Sequence, residues 1–174
     1  MPFSSSFLST HDIDWFIFVN RKLVHVASAG GFIPEAVLNN LDQTYYYVAS
    51  LPDINSTDSI DTIDQHFLSN QIGISSEERE NYLWTFMKIA QKGIYSFDRT
   101  VITDIQDNNY HLVAWPNNEE GGGGLFVNEN DSDDCPILSV RCDLIDFNNP
   151  LSLRNVNLIE IVERGLFDHE DNAH

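Results

Sequence analysis

Basic side chains are scarce in this chain. Nine Lys and Arg stand against 27 Asp and Glu, a formal charge of −18 with the histidines neutral. A surface of that sign repels nucleic-acid phosphates and anionic membranes, and favours a cation or a basic partner. Excess acid also serves solubility alone. The adjacent pair Arg21-Lys22 is followed by Leu23, not by the basic, aromatic-interleaved patch a sheet-type RNA binder needs. Nucleic acid is therefore excluded as a partner. Cysteine is scarce too: Cys135 and Cys142 are too few for a disulfide framework. On one extended strand their odd separation would point them to opposite faces, away from a mutual bridge. No apolar run reaches the roughly 18 residues of a membrane helix. The start, MPFSSSFLSTHDID, has neither the basic nor the apolar region of a signal peptide. The expected setting is cytoplasmic and reducing, with no membrane partner.

What is present suits one core. The chain has 174 residues, 42% hydrophobic and 11% aromatic, and no composition shift or repeat divides it. The expectation is a single globular domain over 1–174, with a short N-terminal arm and a polar C-terminal tail.

Residues 15–20 and 23–28 are rich in aromatic and β-branched side chains around Asn20-Arg21-Lys22, a hairpin signal. Trp15, Ile17 and Val19 share one face and Phe16 and Phe18 the other, so both faces are apolar and the hairpin belongs inside the fold. Gly30-Gly31 ends it, and Pro34 opens a short helix. Residues 44–49 (TYYYVA) read as a third strand. From Ser59, the spacing of Ile60, Ile63, Phe67 and Leu68 predicts a short helix. The clearest helix covers 76–92: Ser75 and Glu78 match a capping box, Leu83, Phe86, Met87 and Ala90 form an apolar face, and Gly93 is the stop. That stripe reads as core packing in preference to a ligand groove. Strands are predicted over 94–97, 100–105, 110–115, 125–128 and 136–145, with a turn at 107–109 and a flexible loop over 117–124. A last helix over 157–164 ends at Gly165, before a frayed tail. Short strand–strand connections without βα alternation predict an α+β fold: an antiparallel or mixed sheet of six to eight strands with three or four helices packed on it.

Chemistry is thinly signalled. His25 shares a strand face with Leu23 and Ala27 while Ser28 points the other way, so the two cannot act as a nucleophile and base. Ser28 also lacks the G-x-S-x-G elbow. Gly121–Gly124 follows Glu119-Glu120 and lacks the ending of a phosphate loop. The acidic stretch 128–134 alternates oxygen ligands as calcium would want, but breaks the EF-hand pattern and reads as a solvated turn. The histidines have no zinc-site spacing, and His169 and His174 lack a cysteine pair. No catalytic residue, metal or cofactor is assigned.

The expectation that follows is a non-enzymatic protein of immunity or inhibitor type that grips a basic protein partner. Charge would speed the encounter and aromatic anchors would hold it. The candidate contact residues are Tyr45, Tyr46, Tyr47 and Trp115, with Glu119, Glu120, Asp131, Asp133 and Asp134 supplying charge. The alternative is a hydrolase-like enzyme or small-ligand binder whose site is assembled from distant residues such as His25, His111 and carboxylates. A pocket where either histidine meets a carboxylate separates the two readings. The apolar hairpin is also compatible with a homo-oligomer.

Overall fold

The computed structural model describes residues 5–104, 106–117 and 135–171. The predicted segments at 118–134, including the glycine run, the acidic stretch and the strand at 125–128, lie outside the described residues, as does the chain end after 171.

The hairpin forms as its sequence dictates. β1 (Asp14–Val19) and β2 (Lys22–Ala27) pair antiparallel with Val19 opposite Lys22. Asn20 and Arg21 take positive φ of 50° and 65°, the sign that a two-residue hairpin turn matching strand twist requires. Asn20 does more than turn the chain. Its side-chain amide donates to the Cys142 and Ile145 carbonyls, and its oxygen accepts from the Cys142 N–H at 2.8 Å.

The fold is α+β. A mixed seven-stranded sheet runs β3-β5-β4-β2-β1-β6, with β7 also beside β5. β3 is Ile60–Thr62, β4 Tyr95–Arg99, β5 Asn109–Pro116, β6 Ser139–Val140 and β7 Val156–Asn157. β2 runs parallel to β4 and antiparallel to β1, and β4 antiparallel to β5. The hairpin is interior to the sheet, which explains its apolar faces: Trp15, Ile17, Val24 and Val26 are wholly buried. Each such side chain contributes about 1.5–3 kcal/mol by leaving water.

Helices cover both faces. On one side α3 (Leu41–Ser50) packs over Phe16, Phe18 and Leu23, and α5 (Arg79–Ala90) sets Leu83, Phe86 and Ala90 over Ala27 and Val113. An irregularity in the β4–β5 register lets Val113 and Ala114 both face α5. On the other side α2 (Glu35–Leu38) and α6 (Leu158–Asp171) close over Trp15, Ile17, Phe97 and Leu112. α1 (Ser5–Thr10) precedes the sheet, and α4 (Gln65–Phe67) follows β3 with Asp64 as its cap.

Five expectations need correction. Residues 44–49 are helical: Leu41, Thr44 and Val48 are the buried positions of α3, a spacing that begins before the tyrosines. Ile60 lies on a strand, and helix starts only at Gln65, because 60–62 pairs with 114–116. Thr100 starts a loop and not a strand, since the Arg99 side chain gathers the carbonyls of Asp104 and Asp107. Within 136–145 only Ser139–Val140 pairs with β1; Asn20 takes the backbone of Cys142. Helix α6 runs through Gly165, which serves as a point of close approach: a Cβ there would lie 2.7 Å from Val140 Cβ. Both cysteines are free.

Candidate functional site

The face of the sheet beneath α3 and α5 carries a polar row inside an apolar layer. Strand alternation places Asp14 on β1, His25 on β2, Ser96 and Asp98 on β4 and His111 on β5 toward the same side. Register then sets neighbours beside one another: His25 lies opposite Ser96 and Asp98 opposite His111. α5 adds Tyr82 from above.

Two hydrogen-bonded groups result. In the first, His25 Nε2 lies 3.0 Å from Asp14 Oδ1 and Nδ1 2.6 Å from Ser96 Oγ. With a neutral ring, Nε2–H donates to the carboxylate and Nδ1 accepts from the serine hydroxyl. In the second, the Tyr82 hydroxyl donates to Asp98 Oδ2 at 2.7 Å and lies 3.2 Å from His111 Nε2, while Thr100 Oγ1 is 3.2 Å from Nδ1. Tyr82 spends its one proton on Asp98, so Nε2 of His111 is the donor to the tyrosine oxygen and Nδ1 accepts from Thr100.

Burial sets the titration of the second group. It lowers His111 to about 4. It pushes Asp98 up to about 6, with Asp12 adding to the rise and the Tyr82 hydroxyl, the Arg99 N–H and His25 opposing it. Burial and the Asp98 charge together drive the Tyr82 phenol far upward. At neutral pH the group holds an ionised Asp98 and a neutral His111.

Access to these groups from solvent is narrow. His25 is 1% exposed, and Ser96 and His111 are at 0%. Asp14 alone of the first group reaches solvent, its side chain 46% exposed. Ser28, the serine near His25 in sequence, is structural: its Oγ accepts from the Ile13 N–H at 2.9 Å. Among the described residues no group of three or more His, Cys, Asp or Glu is set to hold a metal ion.

The predicted contact residues divide. Tyr45 and Tyr46 are on the outer side of α3, at 37% and 81% exposure, and Tyr47 packs against the core under that helix. Tyr45 donates its hydroxyl proton to the Asp14 carbonyl. Burial raises its phenol to about 12, and the charges of Asp14, Asp12 and Asp42 add to the rise. Asp14 therefore joins the buried row to an acidic rim around Tyr45. Trp115 is buried in the core on the opposite face of the sheet and does not meet the tyrosines. Glu119, Glu120, Asp131, Asp133 and Asp134 lie outside the described residues.

Asp14, Tyr82, Ser96 and Asp98 escaped the sequence reading. A signal was present in YSFDR, where Ser96 and Asp98 alternate with Tyr95, Phe97 and Arg99 and so put two polar groups on one strand face. Their meeting with His25 depends on β4 lying beside β2, a strand order that local pattern does not reveal.

Compared with known proteins, the chain matches no family model, no curated protein and no solved structure. No helix of the described residues is long and apolar enough to cross a membrane.

Proposed function

We propose that this protein is a non-enzymatic binding protein, of the immunity or inhibitor type, that holds a basic segment of another protein on the outer side of α3. The observation that carries this reading is the Tyr45 hydroxyl bonded to the Asp14 carbonyl, in acidic surroundings where Asp14, Asp12 and Asp42 all act on its phenol, beside the exposed Tyr46. A Lys or Arg side chain entering there meets the negative charge that these residues supply. The Tyr46 ring offers a face for a cation, an interaction of about 0.5–1 kcal/mol at an exposed site. The overall charge of −18 steers such a partner from a distance. Cytoplasmic location belongs to the same reading.

The hydrolase alternative has its groups assembled, with Asp14, His25 and Ser96 in one hydrogen-bonded line. A nucleophile must touch its substrate, and Ser96 is sealed beneath the helices. That favours binding over catalysis.

The test is affinity capture from host lysate at about 50 mM and about 500 mM salt, where screening removes surface attraction. The wild type is compared with a protein carrying Asp42→Asn and Tyr46→Ala. A basic protein retained at low salt, and lost both at high salt and with the double variant, supports the reading. Retention unaffected by the variant, or nothing retained at either salt, ends it.

A further inference from the structure

We infer that His25 regulates the rim beside Tyr45, so that protonating its ring weakens the grip on a basic partner; this rests on the binding role proposed above.

A histidine closed off from water stands here against a carboxylate that is not. His25 is 1% exposed, and its Nε2 lies 3.0 Å from Oδ1 of Asp14, whose side chain is 46% exposed. Asp14 also carries the carbonyl that the Tyr45 hydroxyl bonds, and its charge acts on that phenol. Asp14 thus meets His25 on the inside and solvent at the rim.

The two protonation states of the ring present different rims. With a neutral ring, Nε2–H donates to Asp14 and the carboxylate keeps its full charge for a cation arriving from solvent. With a protonated ring, Asp14 is one half of an ion pair, and an arriving Lys or Arg meets a carboxylate already neutralised from behind. Ser96 accommodates both states across its 2.6 Å contact. Its hydroxyl donates to Nδ1 of the neutral ring, and its oxygen accepts from Nδ1–H of the charged one. Water screens a contact at a buried ring far less than it screens a surface pair.

The other ionisable groups near the ring come from β4 and α5. Asp98 stands two residues beyond Ser96 on the same strand face, and its charge and that of His25 act on each other. Tyr82 spends its hydroxyl on Asp98, and α5 also sets Phe86 beside the ring. β1 adds Phe16, against which α3 places Tyr45. Asp98 is largely buried, so Asp14 is the carboxylate through which His25 is felt at the surface. Linkage makes the effect reciprocal: a cation held at Asp14 opposes the charging of His25 by the same factor that the charged ring weakens the cation.

The test uses the full chain and a hexaarginine peptide at low salt, where attraction is least screened. Calorimetry measures the affinity at about pH 8 and about pH 5.5, the span in which histidines commonly change charge. NMR follows the protonated fraction of His25 across the same span, with and without peptide, and shifts at Tyr45 and Tyr46 locate the peptide at the rim. The expected result is binding at least about fivefold weaker at the lower pH, and a smaller protonated fraction of His25 in the complex. His25→Gln, which can offer Asp14 an N–H and gains no charge, removes most of the pH dependence. A peptide that binds at the rim equally at both pH values, or leaves the protonated fraction unchanged, overturns this inference alone. So does a dependence that survives in His25→Gln, which would belong to Asp98 or the rim carboxylates. A peptide that leaves Tyr45 and Tyr46 unshifted overturns the binding role and the inference together. The NMR comparison uses the wild type and needs no variant to fold.

Discussion

Tyr82 and Asp98 bind α5 to the centre of the sheet through one 2.7 Å hydrogen bond, in which the phenol donates to a largely buried carboxylate. The bond matters most when the carboxylate is charged, because an ionised acceptor loses more when its donor is removed. Tyr82→Phe is therefore expected to cost about 1–3 kcal/mol at pH 8. At pH 5, below the value of about 6 that burial gives Asp98, the carboxyl is protonated and the loss shrinks. Urea midpoints at the two pH values check this. An equal loss at both would mean that the hydroxyl does not serve the charge.

Asp98 and His111 pull acid stability in opposite directions. The Asp98 carboxyl is raised to about 6 from 3.8, so the native state takes up a proton first. Its contribution is greatest below pH 3.8 and is lost as pH rises through 6. His111 is lowered to about 4 from 6.5, so the unfolded state takes up the proton first. Its contribution is present above pH 6.5 and is lost as pH falls through 4. Between about pH 4 and 6 the two slopes oppose each other. Relative to wild type, Asp98→Asn should make stability fall more steeply on acidification across that window, and His111→Gln should make it rise. Denaturant unfolding at half-unit pH steps measures both. Parallel profiles for the two variants would refute the account.

Arg99 is 1% exposed and donates to the carbonyls of Ala29, Asp104 and Asp107. A buried guanidinium is tolerated because several acceptors replace its water, and a lysine's single head cannot reach all three directions. Arg99→Lys is expected to cost on the order of 3 kcal/mol. Gly31→Ala attacks the same joint from the other side. The added Cβ would lie 2.8 Å from the Ser28 carbonyl oxygen and 3.2 Å from Arg99 Nη1. About 1–3 kcal/mol of overpacking loss is expected. Amide hydrogen exchange across 100–107 should speed up in both variants, and unchanged exchange would show that Arg99 does not hold the loop.

Local pattern made β1, β2, β4, β5 and α5 legible because each states its period within its own length. Leu83, Phe86 and Ala90 repeat at helical spacing, and Phe16 and Phe18 alternate. The misread segments are governed by contacts with residues outside them. TYYYVA has strand-forming side chains, yet Val48 packs with Phe16 and Ile94 only when the segment is helical. Over its described residues, 100–104, the strand predicted at 100–105 gives way to a loop because the neighbouring Arg99 side chain takes the Asp104 carbonyl. At the candidate site His25 and His111 stood out as residue types, and their surroundings did not. Ser96 and Asp98 become their neighbours only through the parallel pairing of β2 with β4 and the antiparallel pairing of β4 with β5.

Gly165 tests how far propensity gives way to packing. At an exposed position inside a helix, replacing glycine with alanine gains about 1 kcal/mol. Here α6 crosses β6 so closely that the new methyl would lie 2.7 Å from Val140 Cβ and 2.9 Å from Cγ1. Both Val140 atoms belong to a buried, β-branched side chain fixed in a strand, so neither can swing aside. Gly165→Ala is therefore expected to destabilise by about 1–3 kcal/mol in spite of its better helix propensity. Thermal and urea unfolding decide the sign. A stabilised variant would mean that α6 can lift from the sheet, and that the glycine ends nothing and fits nothing.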